Sequence, residues 1–241
     1  MTNLSAAVLD PLLRTDASKP RITYYDDATG ERIELSTVTF ANWAAKTANL
    51  LRDELGAGAG SRVAVLLPAH WQTAAVVFGV WWIGAEVLIG TLGDCADIDV
   101  AMCTAATLPE ADDALGPVGE VVALSLDPFG RPVAELPAGV TDYATSVRVQ
   151  ADQTVAEHQP GPALAGRSAA NVLGWALDSA AAQAISGRDR VLSTAAWDTD
   201  TRLVDGLLAP FAVGASLVQV AHPDPASLSR RRAQENVTRT L

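Results

Sequence analysis

Residues 61–90 constrain the fold more than any other part of the chain. Ser61-Arg62 leads into the apolar run Val63-Ala64-Val65-Leu66-Leu67, which ends at Pro68. After His70 a second apolar segment extends from Trp71 to Ile83 and closes at Gly84, and a third run, Glu86 to Ile89, ends at Gly90. Consecutive apolar residues rich in β-branched types fit a strand buried on both faces, the pattern of parallel sheets. The second segment is too long for a strand and stops at a glycine, which fits a helix apolar nearly all round. Strand, buried helix, strand is a βαβ unit. The expected fold class is α/β, with mostly parallel sheets flanked by helices.

A chain of 241 residues can bury a large core, and its net charge of −11 argues against nucleic acid or an anionic membrane surface as partner. Positive charge rests almost wholly on Arg, since Lys19 and Lys46 are the two lysines. The wealth of Ala, Asp, Val and Arg fits a GC-rich genome. Cys95 and Cys103 make no disulfide framework and lack zinc-site spacing, so buried structural thiols are expected. Residues 1–10 carry no basic flank or long apolar region, so no signal peptide is expected. Thr73 to Gly90 falls short of the roughly 20 residues of a membrane span, and Glu86 interrupts it. The expectation is a cytoplasmic protein with no membrane partner.

Taken in order, Leu4, Val8, Leu9, Leu12 and Leu13 have helical spacing around Pro11, which predicts a helix that is kinked or begins late. Arg21 to Tyr25 and Glu31 to Leu35 read as a hairpin around an Asp- and Gly-rich turn. Thr39 can cap a helix running to Leu55, with Gly56 as its stop. Beyond the central unit, Asp99 to Cys103 and Glu120 to Leu124 read as strands, with a short helix over 109–115 between them. Residues 127–162 are proline-rich and irregular. A helix is expected over 167–185, then strand 190–194, helix 203–211 and strand 215–220 as a second βαβ. Asp224-Pro225 starts a last helix, and 237–241 reads as a strand.

Residue patterns that would fix a reaction do not emerge. The glycines from Gly56 to Gly60 follow a helix and open a strand, the reverse of a dinucleotide-binding turn, and Ser61 stands where the third glycine belongs. His70, His158 and His222 are far apart, which predicts surface or loop-packing histidines rather than a metal site. Asp26-Asp27 and Asp112-Asp113 fall in predicted turns and read as solvated surface. No nucleophile elbow, zinc-protease helix or Walker loop is present in the sequence.

Several segments together resemble the N-terminal portion of the adenylate-forming superfamily, the AMP-binding, acyl-CoA synthetase-like enzymes, and within it short actinobacterial relatives. Thr39-Phe40-Ala41-Asn42-Trp43 is similar to the family's Thr-Tyr-x-x-Leu helix opening. Gly60 to Pro68 resembles its Gly-Asp-Arg-Val-Ala strand ending in Leu-Pro, and Gly84-Ala85 its Gly-Ala helix end. Asp189-Arg190-Val191-Leu192-Ser193, Leu208 to Ala215, and Asp224-Pro225 to Val237-Thr238 resemble the strands and helices that follow. The resemblance covers almost the whole chain but about the first half of a typical member. It implies a single truncated AMP-binding-like domain over 1–241, with a first α/β part (1–125), an irregular connection (126–166) and a second α/β part (167–241).

The departures from the family pattern bear on function. The family's Thr-Ser-Gly-Thr-Thr-Gly-x-Pro-Lys-Gly loop wraps the ATP phosphates with backbone N–H groups and a Lys. Its place is taken here by Glu157-His158-Gln159-Pro160-Gly161-Pro162-Ala163-Leu164-Ala165-Gly166, and no Lys follows Lys46. The family's adenine- and magnesium-binding Tyr-Gly-x-Thr-Glu segment, ribose-binding Asp and lid Lys have no counterparts either. The reading is a non-catalytic, degenerate domain acting in protein or small-ligand binding, with no catalytic residue, metal or cofactor and with a homodimer or protein partner. The alternative is a residual acid-activating ligase or nucleotide/acyl binder, with ATP or AMP held by a remodelled loop at 152–166. Trp197, Asp198 and Asp200 fall where the resemblance places a motif lining the acyl pocket, at a strand's C-terminal end. The competing reading makes Asp198 or Thr199 an ordinary helix cap.

Overall fold

A computed structural model describes residues 2–90, 97–115 and 119–241. In chain order the elements are α1 (Leu4–Asp16), β1 (Pro20–Asp26), β2 (Glu31–Ser36), α2 (Thr37–Asn49), β3 (Arg62–Leu66), α3 (Trp71–Trp82) and β4 (Glu86–Ile89). Next come β5 (Val100–Thr104), α4 (Leu108–Ala114), β6 (Glu120–Leu124), β7 (Val140–Asp142), α5 (Tyr143–Arg148), β8 (Pro162–Leu164) and β9 (Arg167–Ser168). The last third holds α6 (Ala169–Ala182), β10 (Arg190–Ser193), α7 (Asp200–Leu203), α8 (Ala209–Ala212), β11 (Ser216–Ala221), α9 (Pro225–Gln234) and β12 (Arg239–Thr240).

The strands form two sheets, in the orders β12-β10-β11-β1-β2 and β7-β6-β5-β3-β4-β8-β9. Neighbours run parallel except in the hairpins β1–β2 and β8–β9. The expected βαβ of residues 61–90 is present, with β3 and β4 paired in parallel from Arg62↔Glu86 to Val65↔Ile89. Every residue of α3 is buried because the helix packs against α2 and α1 as well as β3 and β4, and also touches β1 of the other sheet. A helix between two sheets has no solvent face to mark with polar residues. The α2–α3 crossing is equally tight: a Cβ on Gly79 would stand 2.8 Å from the Thr47 Cβ.

Some boundaries differ from the sequence reading. α1 begins at Leu4 and runs through Pro11. α2 is capped by Ser36, whose Oγ accepts from Thr39 N–H, rather than by Thr39. It passes into a π-helical turn over Leu50–Glu54 before Gly56 takes a positive φ. α6 starts at Ala169, after Ser168 as cap, because Arg167 and Ser168 are taken up by β9. Asp112 and Asp113 lie exposed on α4 rather than in a turn. Cys103 is buried, and Cys95 lies outside the described residues. No helix among the described residues is long and apolar enough to cross a membrane.

Candidate functional site

The carboxyl ends of strands from both sheets open on one cleft of about 800 Å³. Pro68-Ala69-His70 follows β3, Ser125 to Phe129 follows β6, Thr194 to Ala196 follows β10, and His222 follows β11. Tyr24 and Glu31, from the hairpin β1–β2, complete one wall with Gln219 of β11. Open α/β sheets collect ligands at this end of their strands. The volume suits a small organic molecule.

His70 is fixed by its own backbone neighbours. It is the N-cap of α3, and its Nδ1 accepts the Gln72 N–H at 3.1 Å. That bond assigns the proton of the neutral ring to Nε2. The Tyr24 ring meets the imidazole edge-on, with centroids 4.3 Å apart. Burial holds the imidazole below its ordinary range, against the opposing pull of Glu31 and Asp26. Nε2 stands 3.7 Å from Glu31 Oε1, beyond hydrogen-bond reach.

Gln219 is oriented in the same way. Its Nε2 donates to Ala195 O at 3.0 Å, which leaves Oε1 facing away from that bond. Gln219 Oε1, Glu31 Oε1 and His70 Nε2 are all buried with no hydrogen-bond partner among the described residues. His70 is 2% exposed and Gln219 1%, and the Glu31 side chain is 10% exposed. A buried polar atom without a partner costs about 1–3 kcal/mol, so three at one cleft are a concentrated cost.

The acidic pair at the head of the β1–β2 turn is not solvated surface. Asp26 Oδ1 meets His222 Nδ1 at 2.9 Å and accepts the Ala28 N–H at 2.8 Å. Burial pushes the Asp26 carboxyl upward, but the His222 and backbone hydrogen bonds outweigh it and hold the group below its usual range. Asp27 forms a two-pronged pair with Arg231 of α9, at 2.9 and 2.6 Å, which depresses its pKa. The two histidines at the cleft, His70 and His222, thus come together from distant parts of the sequence, while His158 is exposed elsewhere. No group of three His, Cys, Asp or Glu side chains among the described residues could hold a metal ion.

Trp197, Asp198 and Asp200 are not among the residues lining this cleft. Trp197 directly follows the cleft residue Ala196 but is buried, its Nε1 without a hydrogen-bond partner among the described residues and set against Gly206 of the π-helical turn Val204–Leu208. Asp198 is exposed and pairs with Arg202 at 2.8 Å. Thr199 is the cap of α7, accepting from Arg202 N–H. Burial and the charge of Glu86 raise the Asp200 carboxyl, while Arg167 pulls it down.

Where the resemblance places a phosphate-binding loop, the chain makes a tight hairpin. β8 and β9 are joined by Ala165 and Gly166, at φ 51° and 68°. Two positive φ values in a two-residue connection are the geometry of a primed hairpin turn.

Two sheets with α3 between them and a cleft at their carboxyl ends define the N-terminal portion of the adenylate-forming, acyl-CoA synthetase fold. Solved structures bear this out. An acyl-CoA synthetase of Brucella canis matches with a TM-score of 0.80 at 17% identity, over 99% of this chain and 47% of its own. A benzoate CoA ligase of Burkholderia xenovorans LB400 matches at 0.75 and 18%, over 100% and 50%. The acetoacetyl-CoA synthetase of Streptomyces lividans matches at 0.77 and 18%, over 97% and 41%. The chain spans about half the length of these proteins or less. No family model matches it. It is 65% identical over 243 residues to the "TIGR03089 family protein" of Mycobacterium tuberculosis (strain ATCC 25618 / H37Rv), covering 100% of this chain and 98% of that one. The chain belongs to the TIGR03089 family.

Proposed function

We propose that this chain is a non-catalytic member of the adenylate-forming fold that holds a small molecule in the cleft between Glu31, His70 and Gln219. The observation that carries the reading is the turn at Ala165-Gly166. A triphosphate cradle needs several backbone N–H groups converging on a polyanion, helped by a Lys. A two-residue turn cannot wrap one, and the N–H of Gly166 is already bonded to a carboxylate, Glu86 Oε1, at 2.6 Å. The cleft retains volume and buried unpaired polar atoms, which support binding without phosphoryl chemistry. Trp197, Asp198 and Asp200 are then, in this reading, second to the cleft residues.

Calorimetry with ATP, AMP and an acyl-CoA tests the proposal against residual ligase chemistry. The reading expects no heat with ATP or AMP. A saturable heat with ATP, together with ordered nucleotide at residues 155–166 in crystals, would favour the ligase.

A second reading, association with a second copy or another protein, rests on exposed apolar side chains. Phe129, Val149 and Val155 are 80%, 79% and 73% exposed, and all three lie between β6 and β8, on a stretch that reads as irregular in the sequence and in fact holds β7 and α5. Light scattering of the purified chain tests self-association; a strictly monomeric mass with no retained partner counts against it.

A further inference from the structure

The orphaned atoms of the cleft specify more than a cavity. His70 Nδ1 accepts from the backbone, so His70 Nε2 offers an N–H donor. Gln219 Nε2 is spent on Ala195 O, so Oε1 offers an acceptor. The carboxylate oxygen Glu31 Oε1 offers another acceptor. The set is one donor and two acceptors, none of them hydrogen-bonded among the described residues, with His70 Nε2 and Glu31 Oε1 standing 3.7 Å apart.

The charges around the set bear on the sign of a ligand. Asp26 and Glu31 both line the cleft. The guanidinium of Arg32, at the same wall, is engaged by Tyr25, Glu34 and Glu235. The ring of His222 is engaged by Asp26. A carboxylate or phosphate entering here meets Glu31 and the carbonyl of Gln219, with no uncommitted Arg or Lys among the described residues lining the cleft to offset them.

We infer that the cleft takes a neutral primary carboxamide, or a heterocycle edge of the same pattern, carried on an apolar body. This rests on the small-molecule reading above and deepens it. A primary amide has one acceptor and two N–H donors, the complement of the cleft's set. Its carbonyl accepts from His70 Nε2, and its two N–H bonds go to Glu31 Oε1 and Gln219 Oε1. The ring of Tyr24 and the side chains of Ile33 and Leu126 in the same wall supply the apolar surround. The three residues line the cleft, and the amide supplies hydrogen bonds that these atoms lack among the described residues. The cleft therefore prefers the amide of an organic acid over the acid itself. In the acid, a carboxylate would face two acceptors.

Benzamide and benzoate, nearly identical in shape, are the probes. The readout is nitrogen-15 NMR of the full chain, following the His70 ring and the Gln219 side-chain amide during titration, with benzyl alcohol as a neutral control of similar size. The proposal expects benzamide to move both signals and to bind about tenfold or more tighter than benzoate, because a site built to hydrogen-bond a group discriminates against the analogue lacking it. In a Glu31→Gln chain, checked for folding by circular dichroism, the amide-over-acid ratio falls toward one. Benzoate binding at the same signals as tightly as benzamide would overturn the amide assignment and leave the small-molecule cleft standing. Silence of both signals toward all three probes would overturn the assignment and the small-molecule reading together.

Discussion

The backbone N–H of Gly166 donates to Glu86 Oε1 at 2.6 Å, which fastens the β8–β9 turn to the start of β4. Glu86 is itself buried, with Arg62 Nε 3.7 Å away. The turn is thereby a fixed part of the larger sheet. Its geometry depends on Gly166 at φ 68°.

Gly166→Ala is expected to destabilise the chain by about 1–2 kcal/mol, the cost of a left-handed backbone with a Cβ. Gly174→Ala is the matched control. Gly174 lies inside α6 with open space where a Cβ would go, so that change is expected to stabilise by about 0.5–1 kcal/mol. Thermal or denaturant unfolding of the two variants checks the opposite signs.

His70 acts structurally as the cap of α3. His70→Asn keeps an acceptor for the Gln72 N–H, whereas His70→Ala removes it, so the Ala variant is expected to be about 1 kcal/mol less stable than the Asn variant. Urea unfolding of both measures the difference. Equal stability would mean that the cap bond contributes nothing.

Glu235 governs a pH response. Burial pushes its carboxyl up, but hydrogen bonds from Tyr25, Arg190 and Arg32 outweigh that and lower it from 4.5 to about 2. A carboxyl depressed by folding adds stability above its unfolded pKa and loses it as pH falls through the folded value. The stability advantage of the wild type over Glu235→Gln is therefore expected to be full at neutral pH and to shrink between about 4.5 and about 2. A difference that stays constant across that window would contradict the network's role.

The sequence made some of this legible. The α3 segment announces itself because a helix packed between sheets is apolar on every face, and Asp224-Pro225 marks α9 by local capping chemistry. The pairing of β1 with β11, Ile22 opposite Leu217, was not legible, since strand partners leave no local mark. Thr39 misled for α2 because Ser36, three residues earlier, is an equally good cap. Asp26-Asp27 read as solvated because His222 and Arg231, their partners, are 196 and 204 residues away. One cleft residue carried a usable signal: Gln219 stands between Val218 and Val220 in a buried strand, where a polar side chain needs a reason.

The central proposal is that this chain, which has the fold of part of an acyl-CoA synthetase, does not itself activate an acid. Pyrophosphate release by the purified chain, given ATP, magnesium and a panel of carboxylic acids, tests it most directly. The account expects release indistinguishable from that of a protein-free control with every acid. Release that scales with protein concentration for any acid in the panel would contradict it.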